Sequence, residues 1–515
     1  MRSHLPSAVL RAGHVLALGA LLSTASCAQV LGLDAFEDCD EDSCSGVVWA
    51  KSFGNNDFMF PMSARLDSTG NLVLSGLFRD TIDFGGPSLI SSGMDVFLAK
   101  LNPDGGHAFS RRFSVDRADG AFASHLSILS DDSIILSGRY GQAIDLGNGE
   151  PLTATRSDGH GAFVARFLPD GELLWGRNLF TGTGEAFALD LAATPDGDVV
   201  LVGSFDGEVN LGSSTLTTAA RDAFILKLDG ETGSERWSRQ LGDPEDATTT
   251  ATIEATAVAA DPDGNIVVGG RFSGSIQSAF GQRFFESPSG AGAFLFKIVS
   301  TGLKDWIAFL RADDGQGEGD AAVSDVDVDA RGNIVAAGVL AGAISIETRG
   351  VLGAQQTSGP ADSDILLVKL SSARNHLWSL RFGDDSAQFD GRWSSVSSGS
   401  IVGPRVSVDA DGDIVLGTGV IGALDFGGRP LDGRQDSDWA VAKLSAGGEH
   451  LWSRRFGDAA AGQAVVAVDT DPRTSALVLV GINDGTLDFG SGMKVGKTGE
   501  MSTVVAKIDL ERVGR

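Results

Sequence analysis

Short apolar runs and polar punctuation alternate along this chain in a fixed order. Four phrases return in sequence. The first is an apolar run that ends in a turn, as in "ARLDSTG" at 64–70, "AVAADPDG" at 257–264, "DVDVDARG" at 325–332 and "RVSVDADG" at 405–412. The second is rich in Val, Ile and Leu: "NLVLSGLF" at 71, "DVVLVGSF" at 198, "NIVVGGRF" at 265, "ALVLVGIN" at 476. A variable stretch comes next, often with "DFGG" or a relative. The third carries a basic residue in an apolar run, such as "DVFLAKL" at 95 and "DAFILKL" at 222. The fourth is anchored by an aromatic at Trp49, Phe109, Trp175, Trp237, Trp306, Trp378 and Trp452, at intervals of 60 to 74 residues.

Each run is 5–8 residues long, β-branched or aromatic, and bounded by Gly, Pro, Asp or Asn. That is the pattern of strands, not of capped helices. We name the strands a, b, c and d in phrase order. Four-stranded units repeated at a fixed period predict an all-β chain, a single seven-bladed β-propeller. Residues 46–54, "GVVWAKSFG", are a d phrase with no a, b or c before it, and the chain ends just after a c phrase. The N-terminal d strand is therefore expected to complete the C-terminal blade and hide an edge.

The phrases "WSRRFGD", "VSVDADGDIVLGTG", "LDFGG" and "DSDWAVAKL" resemble the SBBP-type bacterial β-propeller repeat, across about residues 46–510. The resemblance implies an exported or surface protein and a fold, and it implies little about activity. Phe109 and Arg166 depart from the pattern in the second unit, and "TDPRTSA" does so in the last a–b turn.

Upstream of the repeat, Arg2 and Arg11 precede the apolar "VLALGALL" at 15–22, so residues 1–26 read as an export signal. "STASC" resembles a lipobox, which makes Cys27 the expected lipidation site; ordinary cleavage after Ala28 is the alternative. Residues 27–45 form a tether. In it Cys39 and Cys44 are expected to form a disulfide in an oxidising space, in preference to a metal clip. The expected location is the outer membrane or cell surface, with a periplasmic or secreted protein as the alternative. A formal net charge of −28 repels nucleic acid and anionic lipid, so membrane contact is expected only through the anchor. Nothing in the composition calls for an oligomer, and a monomer is expected.

The basic residues Lys100, Arg166, Lys227, Lys297, Lys369, Lys443 and Lys507 read as stems on apolar surface with heads paired to carboxylates. The Asp–Gly phrases read as tight turns in preference to calcium loops. Strand direction puts the short a–b and c–d turns on one face and the long b–c and d–a connections on the other. The long-loop face is the expected recognition surface. Within it, Asp390, Arg392 and Trp393 of "DGRW" are candidate ligand-binding residues. Asp313, Asp314, Glu318 and Asp320 of "DDGQGEGD" are candidate calcium ligands. No "GxSxG", phosphate loop or metal-spaced His is present. The expected role is a non-catalytic scaffold binding protein or glycan, with an extracellular polysaccharide hydrolase or lyase as the alternative.

Overall fold

The computed structural model describes residues 46–513, apart from 55–57, 116–121, 156–159, 243–250, 278–283, 313–319, 342–343, 347–349, 352–363, 384–402, 458–461, 472, 475, 490–492 and 497–500. The described residues hold strands and turns, with no helix among them.

Strand β1 (Val47–Phe53) stands ahead of the repeating order. Unit one is β2 (Met59–Leu66), β3 (Leu72–Ile82), β4 (Leu89–Leu101) and β5 (His107–Phe113). Unit two has β6 (Phe122–Ile128) and β7 (Ile134–Gly141), a small arm of β8 (Ala143–Ile144) and β9 (Leu152–Thr153), then β10 (His160–Phe167) and β11 (Leu173–Asn178). After the short β12 (Thr181–Gly182), unit three is β13 (Ala186–Ala193), β14 (Val199–Asn210), β15 (Thr215–Leu228) and β16 (Glu235–Leu241). Unit four is β17 (Thr252–Ala260), β18 (Ile266–Gln277), β19 (Phe284–Ile298) and β20 (Lys304–Ala312). Unit five has β21 (Asp320–Val328), β22 (Ile334–Ala341), the arm β23 (Ile344–Ile346) and β24 (Gly350–Val351), then β25 (Asp364–Leu370) and β26 (His376–Phe382). Unit six is β27 (Arg405–Val408), β28 (Ile414–Leu424), β29 (Leu431–Leu444) and β30 (His450–Phe456). The last unit has β31 (Gln463–Asp471) and β32 (Ala476–Asn483), the arm β33 (Thr486–Asp488) and β34 (Lys494–Gly496), then β35 (Ser502–Asp509).

Within each unit four strands pair antiparallel with their neighbours; five units form separate four-stranded sheets, while units three and four are joined by a parallel bridge between Arg221 and Thr252 into one larger sheet. The last unit's sheet runs β1, β35, β32, β31, with Trp49 opposite Lys507 and Phe53 opposite Thr503. Inner strands touch in chain order: β2 meets β6, β6 meets β13, and so on to β31, which meets β2. The apolar cores lie between neighbouring units, because each sheet buries both faces. Phe97 and Leu74 of unit one pack with Val480 and Val505 of the last unit in one such core. Radially packed four-stranded sheets are the architecture of a β-propeller.

Two irregularities recur and aim the side chains. Inner strands carry a bulge, for example between Pro61 and Ser63, Ala255 and Ala257, and Val465 and Ala467. The c–d pairs carry one just after the basic residue, between Lys100 and Leu101 and at the matching places onward. Each bulge adds local twist and re-aims the next side chains along the strand. The second leaves the basic residue directly opposite the d-strand aromatic, as with Lys369 and Trp378. Opposed residues project to the same side, so the pair acts together.

Candidate functional site

The turn face is built from one repeated lock. Asp67 Oδ1 accepts from the backbone N–H groups of Thr69 and Asn71, each at 2.9 Å, and its Oδ2 meets Lys100 Nζ at 2.8 Å. Asp261 with Lys297 (2.8 Å), Asp329 with Lys369 (3.2 Å) and Asp409 with Lys443 (2.8 Å) repeat it. Asp131 with Arg166 at 2.6 Å is the second unit's version. These carboxylates are therefore filled by turn N–H groups and a cation, which explains the Asp–Gly phrases without a metal. Burial alone would raise Asp67. Lys100, Asn71 and Thr69 outweigh it and bring the group down to about 2.

The same cations reach into the next unit. Trp175 Nε1 and Arg166 Nη1 both donate to Gly230 O, at 3.1 and 2.9 Å. Trp378 Nε1 and Lys369 Nζ both donate to Ala446 O, at 3.1 and 3.3 Å. Trp49 Nε1 and Lys507 Nζ share Pro103 O, at 3.0 and 3.2 Å. The Trp and Lys series is thus joinery between units. His107, His376 and His450 are equally local: each Nε2 pairs with a Ser hydroxyl three residues on, at 3.0 to 3.1 Å.

The inner strands hold a feature that the repeat phrases do not announce. Arg65, His125, Asp190, Asp325, Asp327, Arg405 and Asp469 lie on β2, β6, β13, β21, β27 and β31. Each is part-buried. The acids cap backbone N–H groups of the next inner strand, whose edge has no further strand to pair with. Asp190 accepts from Val258 N at 2.9 Å, Asp325 from Val406 N at 2.9 Å, Asp327 from Val408 N at 2.7 Å and Asp469 from Leu66 N at 2.6 Å. Ser127 Oγ does the same for Ala193 N at 3.0 Å. Burial pushes Asp327 up to about 7, against the N–H groups of Val408 and Val328. Burial likewise raises Asp190 and Asp469 to about 6, with Arg65 pulling the other way. Burial with Arg405 and Arg65 nearby drives His125 down to about 3, so its imidazole is neutral. Above this cluster, on the turn face, Ile128, Ala193, Ala260 and Val328 help to line a depression of about 330 Å³.

The opposite face is irregular. The β14–β15 hairpin continues past a bulge at Asp206–Gly207 to Asn210 opposite Thr215, and β18–β19 continues to Gln277 opposite Phe284. Other arms are the small hairpins β8–β9, β23–β24 and β33–β34. Some straddle units. β23 pairs with β20 of unit four, β12 with β14 of unit three, and Val115 bridges to Ile144.

Most residues singled out from sequence lie outside the described residues: Cys27, Cys39, Cys44, Asp313, Asp314, Glu318, Asp390, Arg392 and Trp393. Asp320 is described. It opens β21, is exposed, and its Oδ1 accepts from Ala291 N at 2.6 Å. Among the described residues no group of three or more His, Cys, Asp or Glu is arranged to hold a metal. Trp439, the other tryptophan outside the repeated position, is fully buried and donates to Ile482 O at 3.1 Å.

No family model matches the chain, and no curated protein matches it. Solved structures of similar shape include the polysaccharide lyase Uly1, at 10% identity and TM-score 0.42, covering 90% of this chain and 99% of that one. The Dos1 propeller matches at 8% identity and TM-score 0.40, covering 90% and 97%. BamB from Moraxella catarrhalis matches at 11% identity and TM-score 0.33, covering 81% and 94%. They carry no argument about this chain, whose architecture rests on its own strand pairing.

Proposed function

We propose that the chain is an exported, lipid-anchored, non-catalytic scaffold that binds a protein or glycan through its long b–c and d–a loops. In this reading seven units of the SBBP-like repeat make a single ring, which β1 closes by completing the last unit. Cys27 carries the lipid, and a Cys39–Cys44 disulfide staples the tether. The observation that carries the binding role is the contrast between the faces. The turn face repeats one saturated hydrogen-bond pattern, with Asp67–Lys100 as its type. The other face carries hairpin arms of unequal length. Variable arms on a rigid frame suit recognition. The inner carboxylates support a structural role, since each is engaged with backbone N–H groups. Their raised pKa values are what keeps the hydrolase or lyase reading alive, because a carboxyl near neutrality can act as a general acid.

A glycan-array and pull-down screen of purified residues 29–515, with and without calcium, tests the proposal alongside Trp393→Ala. Capture weakened at least tenfold by that substitution is the expected result. Capture indifferent to it keeps the scaffold and removes the Asp390–Arg392–Trp393 site. Polysaccharide turnover without capture replaces the scaffold with the enzyme.

A further inference from the structure

The basic residues of the repeat are neutralised in every unit but the last. Lys100, Arg166, Lys227, Lys297, Lys369 and Lys443 each meet a carboxylate of their own unit within 3.2 Å. Lys507 meets none among the described residues, and its ammonium donates to Pro103 O at 3.2 Å. The departure at "TDPRTSA" explains the gap. Asp471 stands where the other units hold their acid. It accepts from Arg473 N at 2.9 Å and from Thr474 Oγ1 at 2.7 Å, and it pairs with Arg473 Nε at 3.2 Å. An arginine inside the turn has taken the carboxylate that the strand lysine uses elsewhere. Lys507 is only part-buried, whereas Lys100, Lys227, Lys297 and Lys369 are at most 5% exposed.

A second cation is left over on the neighbouring strand. Lys51 on β1 holds the place that Arg111 holds on β5. Arg111 reaches the c–d turn of the next unit and pairs there with Glu172 at 2.8 Å. The turn that Lys51 reaches has Gly106 at that position, so its ammonium meets a carbonyl instead, Gly105 O. Asp104, the acid of this turn, accepts from Gly106 N at 2.9 Å and pairs with neither lysine. Trp49 lies between the two cations: it stands opposite Lys507, and Lys51 Nζ is 6.0 Å from its ring centroid. Two ammonium groups without carboxylates thus flank one indole, on a chain whose net charge is −28.

The chain carries the matching charge immediately upstream. "EDCDED" at 37–42 holds five carboxylates, those of Glu37, Asp38, Asp40, Glu41 and Asp42, four to nine residues before Gly46. The segment lies outside the described residues, but its point of entry does not: Gly46 O accepts from Asp509 N, two residues from Lys507, at 2.8 Å. Extended chain covers about 3.3 Å per residue, so these acids reach about 13 to 30 Å from Gly46. We propose that the acid-rich segment 37–42 of the same chain docks against Trp49, Lys51 and Lys507 and neutralises the pair. It supplies there what Glu172 and the a–b acids supply in other units. The contact is exposed, so salt screens it, and it draws its strength from several charges meeting at once. The inference is independent of binding at the long-loop face.

Carbodiimide coupling of purified residues 29–515 tests it, because that reagent joins an ammonium to a carboxylate already in contact. In low salt, amide links from 37–42 should go to Lys507 and Lys51 at least tenfold more often than to the exposed Lys304 and Lys494, and high salt should remove them. A Glu-specific protease should cut after Glu41 several-fold faster in Lys51→Gln/Lys507→Gln than in the parent. Both substitutions keep an apolar stem and a donor, and an equal melting temperature separates lost docking from lost folding. If the double variant does not fold, Lys507→Gln alone serves the same comparison. Links spread evenly over the exposed lysines, no link to either lysine, or cleavage indifferent to the variant each overturn the proposal. Links between isotopically labelled and unlabelled chains assign the acids to a second copy and also overturn it.

Discussion

At the junction of units five and six, Trp378 and Lys369 converge on one carbonyl, Ala446 O, in the turn that joins β29 to β30. At the junction of unit six and the last unit, the same two residue types are Trp452 and Lys443. There the receiving turn does not exist, because β35 and β1 are joined by hydrogen bonds alone, with Asp509 N donating to Gly46 O at 2.8 Å. Trp452 Nε1 is buried without a partner among the described residues. Lys443 instead takes a second carboxylate, Asp413, at 3.2 Å besides Asp409 at 2.8 Å. Equivalent residues of two phrases therefore do unequal work. What a repeated residue contributes is set by the unit it reaches, and the junction with the chain ends is the weaker one.

Removing residues 46–54 is the harshest test of that contrast. It strips β35 of its outer partner and takes Trp49 from Pro103. The loss should rival the whole net stability of a domain, about 5–15 kcal/mol. A melting temperature within a degree of the parent would show that β1 is dispensable. The matched pair Trp378→Phe and Trp452→Phe sharpens the comparison. Both lose similar apolar area, but only the first loses a hydrogen bond, so chemical denaturation should find Trp378→Phe the costlier by about 1 kcal/mol. Equal losses would mean that the shared carbonyl contributes nothing.

A pH-dependent effect separates inner acids from turn acids. Asp190, Asp327 and Asp469 titrate near 6 to 7 in the folded protein and near 4 when unfolded. The folded state thus holds extra protons between those values, and stability falls as pH rises through that window. Asp67, brought to about 2, works oppositely and loses its contribution as pH falls below about 4. Thermal melts should peak near pH 4, where the two trends cross, and decline toward pH 7. Asp327→Asn should recover stability that grows as pH rises from 4 to 7 and is several kcal/mol larger at pH 8 than at pH 4, up to about 4 kcal/mol. A flat profile from pH 5 to 8 would refute the assignment.

The strands, their order and the face asymmetry were legible in the sequence because each phrase is local and repeats. The Lys and Trp series were legible as structural for the same reason. Their shared target was not, since Lys369 and Ala446 lie 77 residues apart. The inner caps were hidden likewise: Asp325 serves Val406 N, 81 residues on. Only register along neighbouring inner strands brings such groups together. The gap beside Lys507 did leave a trace, for "TDPRTSA" departs from the other a–b turns. Gly106 left none, because only the folded turn sets it against Lys51.

The backbone comes in at Gly46, beside Asp509 and within reach of Val513, at the end of β1 level with the short turns. The hairpin arms rise from the far ends of the same strands, a full strand length away. The entering backbone thus lies on the uniform side of the fold and the hairpin arms on the uneven side.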